Sequence, residues 1–598
     1  MTQTNPAEIA RLKAEALTAQ AQALAAQAQA AAAKAAAAQA ELDAALANDA
    51  TSMEPSPNAL SDYARQVDEG YRAEGSAITV GCLMEGTDPI PNVKISLPLA
   101  MLNRHGIIAG ATGTGKTRTL QLLAELLSQQ GVAVFATDIK GDLTGMLEPG
   151  QDSPKLHERV QAQGQEWSAK QYPVELYTLG GLGSGIPIRT SVTDFGPILM
   201  AKVLGLNETQ ESALSLIFHW ADHNKLALID LADLRSVISY LTSDGAKDEL
   251  REIGGIAPST AGVILRELAE LQAQGGDDFF GEPGFDVIDL LSPARGGYGI
   301  VNLLELPDIH SRPALFSTFV MWLAAELFQV LPEVGDRDKP KLVFFFDEAH
   351  LLFNNATPEF LNQVVQTVRL IRSKGVGMFF VTQSPSDIPA EVLAQLGAKI
   401  QHAVRAHTPN DAKDLKNTVK TFPTSPLDLT SVLPALGTGE AIVTILDAKG
   451  RPTPVAPTRI FAPASVMGSA SPEAIERSVS TSELATKYAH RIDPESAAEL
   501  LDARIRAENA RREAEEQERK AVAEKEKEQQ RLARELQKEI EAERKAAEKA
   551  RAQAARQAER EAERARKRRE STIDAIIKTA GRTVTSSIVR SIFGTRRR

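Results

Sequence analysis

The sequence predicts an α/β protein built on a doubly wound, mainly parallel sheet with a helical insertion. Three observations predict it. Apolar runs of strand length recur at 107–109, 132–138, 174–179, 299–304, 342–346, 376–382, 400–404 and 441–446, most of them separated by helical periodicity. One run leads directly into Gly110-Ala111-Thr112-Gly113-Thr114-Gly115-Lys116-Thr117, which fits the P-loop pattern G-x-x-x-x-G-K-[ST] at every fixed position. Another, 342–346, ends in Asp347-Glu348, and in such sheets functional residues collect at the carboxyl ends of the strands.

At 598 residues the chain has room for a large core and several appendages. A net charge of −11 argues against a uniformly basic nucleic-acid coat and leaves such a role to local basic segments. The single cysteine, Cys82, excludes an internal disulfide framework or a Cys-rich zinc site and reads as a small buried apolar residue. The start lacks the basic and apolar regions of a signal peptide, and no run reaches the roughly 18 apolar residues that span a bilayer, so the expectation is a cytoplasmic protein without a transmembrane segment.

In chain order, residues 1–52 are rich in Ala and Gln and read as a helical appendage, with a linker at 53–75 carrying the Pro and Ser breakers of Met53–Pro57. Residues 76–191 form the first part of the sheet domain; alternating apolar pieces and turns over 77–102 suggest a small β element before the P-loop strand. Leu120, Leu122, Leu123, Leu126 and Leu127 give the following helix an apolar side, and Gly131 closes it. Helical signals dominate 192–292, the insertion. The sheet resumes over 293–465, and 466–502 reads as a second linker. Residues 503–570 are almost entirely Glu, Lys, Arg, Ala and Gln, a long solvated helix or weak coiled coil. In 571–598, Ile573, Ile576, Ile577, Val584, Ile588 and Ile592 recur at helical spacing among basic residues, an amphipathic helix suited to docking on the core, a protein partner or an acidic membrane surface.

The chemistry follows from the two strong motifs. Glycines let successive backbone N–H groups and the helix N-terminus face a polyphosphate, Lys116 adds a charge, and Thr117 offers a hydroxyl to Mg2+. At the acidic strand end, Asp347 is assigned to the metal and Glu348 to the water that attacks the γ-phosphate of ATP. Gln383, ending the 376–382 strand, can donate and accept hydrogen bonds at once, which suits sensing the γ-phosphate or orienting that water. Arg369, Arg372 and Lys374 precede that strand, and Arg372 is the first choice for an arginine finger offered to a neighbouring subunit's nucleotide; a solvated helix end is the plainer reading. Asp138, Lys140 and Arg405 also fall at strand ends. His350 is read equally as a helix start or a site contact.

The segments Asn103–Thr117, Thr137–Gly145, Lys341–Phe353, Arg369–Gly377 and Thr382–Pro389 together resemble the HerA/FtsK ATPases, and in particular their bacterial HerA-like (YjgR-like) branch. The resemblance covers about residues 75–465 and leaves both appendages outside. It implies a RecA-type core, ATP hydrolysis at subunit interfaces and, in the better understood members, a hexameric ring that moves along DNA. Carried over, Lys116 and Thr117 match the Walker A motif, Asp347 and Glu348 the Walker B motif, and Gln383 the sensor position.

Three functions remain open on the sequence: a helicase-like DNA translocase, an ATPase that remodels or tethers protein partners, and a nucleotide-controlled homo-oligomer assembled at a membrane surface. Asp347-Glu348-Ala349-His350 also spells the signature of a two-lobed DEAH-box helicase, but no second lobe with an Arg-rich motif follows Gln383. The roughly 230 residues between Lys116 and Asp347 fit a helical insertion better.

Overall fold

In the computed structural model the described residues are 60–566, apart from 180–182, 253, 308–311, 336, 354–357 and 407, together with Arg11, Glu15 and Lys34. The expected N-terminal appendage and the basic tail helix lie outside them. The chain divides into two units, Met1–Leu501 and Asp502–Arg598.

The first unit is organised by one sheet of twelve strands: β1 Ala77–Glu85, β2 Asp88–Pro98, β3 Gly106–Ala109, β4 Ala133–Asp138, β5 Val174–Leu179, β6 Ile186–Ile188, β7 Val301–Glu305, β8 Leu342–Phe346, β9 Val376–Thr382, β10 Ala398–His402, β11 Glu440–Thr444 and β12 Ala456–Ile460. Their spatial order is β2-β1-β12-β11-β10-β3-β9-β8-β4-β7-β5-β6. From β10 to β6 every pairing is parallel, and β11, β12, β1 and β2 extend the sheet antiparallel. The eight apolar runs therefore all become strands, within a residue or two at most ends.

Continuous apolar strands are what a sheet covered on both faces requires, and the pleat divides their side chains between two cores. Leu342, Phe344 and Phe346 of β8, with Met378 and Phe380 of β9, join the core that holds the helical insertion and the helix Pro313–Val330. Val343, Phe345, Phe379 and Val381 point the other way, onto Leu120, Leu123 and Leu127 of the helix Lys116–Gln129. That helix stops as the chain turns at Gly131 (φ 69°) and the Val132 N–H bonds back to the Leu127 carbonyl at 3.0 Å.

Contrary to the expectation from hydropathy, the helix Pro313–Val330 is long and apolar enough by composition to cross a membrane; half of that window is buried within the fold. Its composition has a local cause, since Leu315, Phe316, Phe319, Trp322, Leu323 and Leu327 are core residues.

Both stretches read as linkers carry folded elements. Within 53–75, the helix Asp62–Gly70 is capped by Ser61 and buries Ala64 and Val67, and the Tyr71 hydroxyl donates to the Val443 and Pro454 carbonyls at 2.8 and 2.9 Å. Within 466–502, helices Pro472–Thr481 and Glu483–Tyr488 begin at Ser471 and Ser482 caps and strap the β5–β6 side of the sheet. Tyr488 is fully buried: its hydroxyl donates to Asp289 at 2.6 Å and accepts from the Asp286 N–H at 3.0 Å, and Arg189 bonds its carbonyl. Further on, Ser496 and the Ala498 N–H bond the buried Asp233 of the insertion at 2.6 and 2.9 Å.

A helix runs from Ala497 to Arg566. Its described residues in the second unit are nearly all solvent-exposed, carry i,i+4 ion pairs such as Arg512–Glu508 and Lys520–Glu516, and leave Val522, Leu532, Leu536 and Ile540 exposed.

Candidate functional site

Because the strands from β10 to β6 are parallel, their carboxyl ends form one edge, and the site is built along it. Across β4, β8, β9, β3 and β10 in spatial order, that edge presents Asp138, the Asp347-Glu348 pair, Gln383, the P-loop and His402.

The P-loop is held by its neighbours' backbones. The Gly110 N–H donates to the Thr382 carbonyl of β9 at 3.3 Å, the Ala111 N–H to Ala403 after β10 at 2.9 Å, and the Gly439 N–H before β11 to the Thr114 carbonyl at 2.9 Å. Two glycines are obligatory here on geometry. Gly110 has φ 153° and a Cβ there would sit 2.5 Å from the His402 Cβ; Gly115 has φ 113° and would press on Gly439 at 3.2 Å. Gly113 (φ 78°) faces open space, and Thr112 and Gly113 are exposed. Thr114 is buried and turns its hydroxyl onto the Ala111 carbonyl. The Lys116 ammonium lies over the loop, bonding the Gly110 and Ala111 carbonyls at 2.7 and 3.2 Å. Burial lowers its pKa, and the charges of Glu348 and Asp347 oppose the shift. Thr117, half-buried, opens the following helix.

His402 braces this loop from below. It is fully buried; Nδ1 lies 2.9 Å from the Glu440 carbonyl, which can only accept, so Nδ1 carries the proton and Nε2 accepts from the Thr119 hydroxyl at 2.9 Å. Burial drops its pKa to about 4.

At the end of β8, the Asp347 N–H is fixed by the Thr137 hydroxyl at 2.9 Å and Asp347 Oδ1 accepts the Glu348 N–H at 2.9 Å. Burial first, then the adjacent Glu348 charge, push the Asp347 carboxyl up to about 7. Glu348 has the left-handed φ of 47°, uncommon for a residue with a Cβ and a mark of local strain. Lys140 Nζ bonds its Oε1 at 2.8 Å, and His350 Nδ1 stands 3.4 Å from Oε2. Burial raises the Glu348 pKa, but the Lys140 hydrogen bond and charge, then His350 and Lys116, outweigh it and hold the group below the ordinary glutamate range. Asp138, by contrast, is spent on its own loop: its oxygens accept the Gly141 and Leu143 N–H groups at 2.7 and 2.9 Å, shaping the turn that presents Lys140.

Gln383 is exposed and lines a cleft of about 180 Å3 with Ala111, Arg405, Asp411 and Asp414, beside the P-loop. Arg372 stands elsewhere. It precedes β9 on the 3-10 turn Ile371–Lys374, and its charge acts on His105 just before β3, so it lies at the amino edge, across the sheet from its own P-loop. Lys374 is occupied over the Phe328 ring at 4.8 Å. A cavity of about 780 Å3 lies in the helical insertion around Asp194, His219, Asp222 and Lys225 and shares no residue with this edge.

The residues fit a nucleotide with magnesium. The glycine cradle has no room for side chains at 110 and 115, and a cation and two carboxylates converge on it. Asp347 and Thr117 are the carboxylate and hydroxyl that would hold Mg2+ together with phosphate. His402, Thr119 and the Lys140–Glu348 contact are additions that the sequence motifs did not supply.

The family described as Helicase HerA-like C-terminal matches residues 84–598. Two curated relatives are DNA double-strand break repair helicases HerA: that of Saccharolobus solfataricus is 23% identical over 380 residues, covering 59% of this chain, and that of Sulfolobus acidocaldarius is 22% identical over 365 residues with the same coverage. The chain spans 64% of the length of each. Among solved structures, the plasmid coupling protein TrwB in complex with the ATP analogue ADPNP is 16% identical with a TM-score of 0.45, covering 70% of this chain and 99% of that one. VirB4 of Thermoanaerobacter pseudethanolicus is 15% identical with a TM-score of 0.40, covering 67% and 99%.

Proposed function

The chain belongs to the HerA-like C-terminal helicase family, and from that premise we propose that it is an ATP-hydrolysing motor that acts on DNA. The single observation that carries the hydrolytic part is the common carboxyl edge of one parallel sheet shared by the P-loop and the Asp347-Glu348 pair, with both carboxylate charges acting on Lys116. In this reading the backbone N–H groups of 110–117 and Lys116 bind the phosphates, and Thr117 and Asp347 would hold Mg2+, which would supply charge neutralisation for the phosphates. Glu348 takes the proton from the attacking water, and Gln383 orients that water or reads the γ-phosphate.

DNA as the working partner rests on the family and on the HerA relatives. A homo-oligomer, with a hexameric ring as its form, is part of the same reading: Arg372 lies at the amino edge, so an arginine-finger role for it would need the P-loop of a neighbouring copy. The test is Mg2+-dependent ATPase activity with and without DNA, RNA or lipid vesicles. K116A and E348Q are expected to lose turnover by at least about a hundredfold, the scale of a removed catalytic group. Wild-type rates in either would overturn the site. Absence of salt-sensitive DNA binding and of DNA stimulation would overturn the DNA reading, and stimulation by vesicles alone would move the function to a membrane surface. Mixed K116A and R372A protomers should recover turnover if Arg372 acts in trans.

A further inference from the structure

Glu348 is read above as the base, yet one of its oxygens is already engaged. Lys140 Nζ donates to Oε1 at 2.8 Å, and the Glu348 side chain is only 11% exposed while that of Lys140 is 53% exposed. The other oxygen, Oε2, is buried without a hydrogen-bond partner, and His350 Nδ1, also buried and without one, lies 3.4 Å away. The backbone at Glu348 sits in the left-handed region. A carboxylate pulled toward a loop lysine, strained in its backbone and left with one orphaned oxygen, is held in a position other than the one its own bonds would choose.

The lysine is presented deliberately. Asp138 accepts two N–H groups of the turn, Gly141 takes φ 71°, and the Thr144 hydroxyl donates to the Gly141 carbonyl at 2.7 Å. The same Thr144 oxygen accepts the Ala470 N–H at 3.0 Å, and Glu148 accepts the Ser471 N–H and hydroxyl at 2.8 Å each. The turn carrying Lys140 is therefore clamped to the start of the 470–498 strap. The charges of Glu348 and of Lys140 both act on Lys116, with opposite effect.

We propose that Lys140 is a positioning residue that latches Glu348 in a restrained state and lets it go when phosphate charge beside Lys116 offers the ammonium a second anion. The inference rests on the reading of Glu348 as the base. In the step being restrained, the water oxygen forms a bond to the γ-phosphorus, the bond from that phosphorus to the β–γ bridging oxygen breaks with its electron pair leaving on ADP, and the water proton passes to Glu348. While Oε1 accepts from Lys140 the carboxylate is held in that orientation, and release frees it to turn toward the water. The latch thus lowers turnover without lowering nucleotide affinity.

The experiment is steady-state ATPase kinetics on the full chain with wild type, K140M, K140Q and K140R, alongside binding of a fluorescent ATP analogue. K140M and K140Q are expected to raise kcat roughly two- to fivefold, the factor that a partly exposed ion pair is worth, with analogue affinity and KM unchanged. K140R, which keeps a cation, should return kcat toward the wild-type value. Unchanged kcat in both neutral variants, or a fall in kcat with a raised KM, overturns the latch, the latter making Lys140 a substrate-binding cation. E348Q and the E348Q/K140M double variant separate this from the underlying reading: both are expected to be inactive, and turnover in E348Q would refute Glu348 as the base whatever Lys140 does.

Discussion

Acidification should act on the P-loop through His402, and the size of the effect follows from the structure. A neutral imidazole is required there, since the Glu440 carbonyl takes the Nδ1 proton and the Thr119 hydroxyl donates to Nε2. The folded pKa of about 4 lies below the usual histidine value near 6.5, so the unfolded chain binds the extra proton first. With a depressed folded pKa the sign is fixed: this contribution is complete above about pH 6.5, shrinks as pH falls, and is gone below about 4. At 1.36 kcal/mol per unit, the 2.5-unit gap is worth about 3 kcal/mol in all, and about 2 kcal/mol has been lost by pH 5. His105, also near 4, adds the same sign, whereas Asp138 and Asp347, raised to about 6 and 7, oppose it. The measurement is therefore a difference: urea unfolding of wild type and H402Q at pH 8, 6.5 and 5. H402Q should be the less stable at pH 8, with the gap narrowing by about 2 kcal/mol at pH 5. Parallel pH profiles would refute the buried neutral histidine.

Two more substitutions test the scaffold. G110A places a Cβ 2.5 Å from that of His402 at a φ of 153°, so analogue binding should weaken by about tenfold or more, for a strain of 1–3 kcal/mol, while far-UV circular dichroism is retained; unaltered affinity would refute the cradle geometry. Y488F removes the hydroxyl between Asp289 and the Asp286 N–H and should cost about 1–2 kcal/mol, read as earlier proteolytic nicking within 466–496; unchanged nicking would mean that the strap is held elsewhere.

The parallel sheet was legible because burial on both faces demands uninterrupted apolar runs, and Leu342–Phe346 and Val376–Thr382 are buried at every position. β12 was not, because Pro457 and Arg459 interrupt its pattern, although its neighbours β11 and β1 cover both edges. The helices within 466–502 were not legible for a similar reason: the anchors of this strap are single residues, Tyr488, Arg491 and Ser496, bonding to positions about two hundred or more residues earlier. The P-loop and the Asp347-Glu348 pair are local patterns and could be read directly. His402 and Lys140 act on them only through strand order, which no local spacing encodes. Arg372 was a charge beside a glycine turn, and only the sheet tells which edge that turn occupies.

The sheet also sets an order on synthesis. β3, the strand that delivers the P-loop, pairs with β9 and β10, and neither exists until residues 376–402 have been made. The β1–β2 hairpin waits longer for β12, and Asp233 of the insertion waits for Ser496 and Ala498. A ribosome making this chain exports the phosphate loop some 260 residues before either flanking strand, a separation that slows folding and prolongs exposure of apolar strands. The nucleotide site is thus among the first sequences written and among the last structures closed.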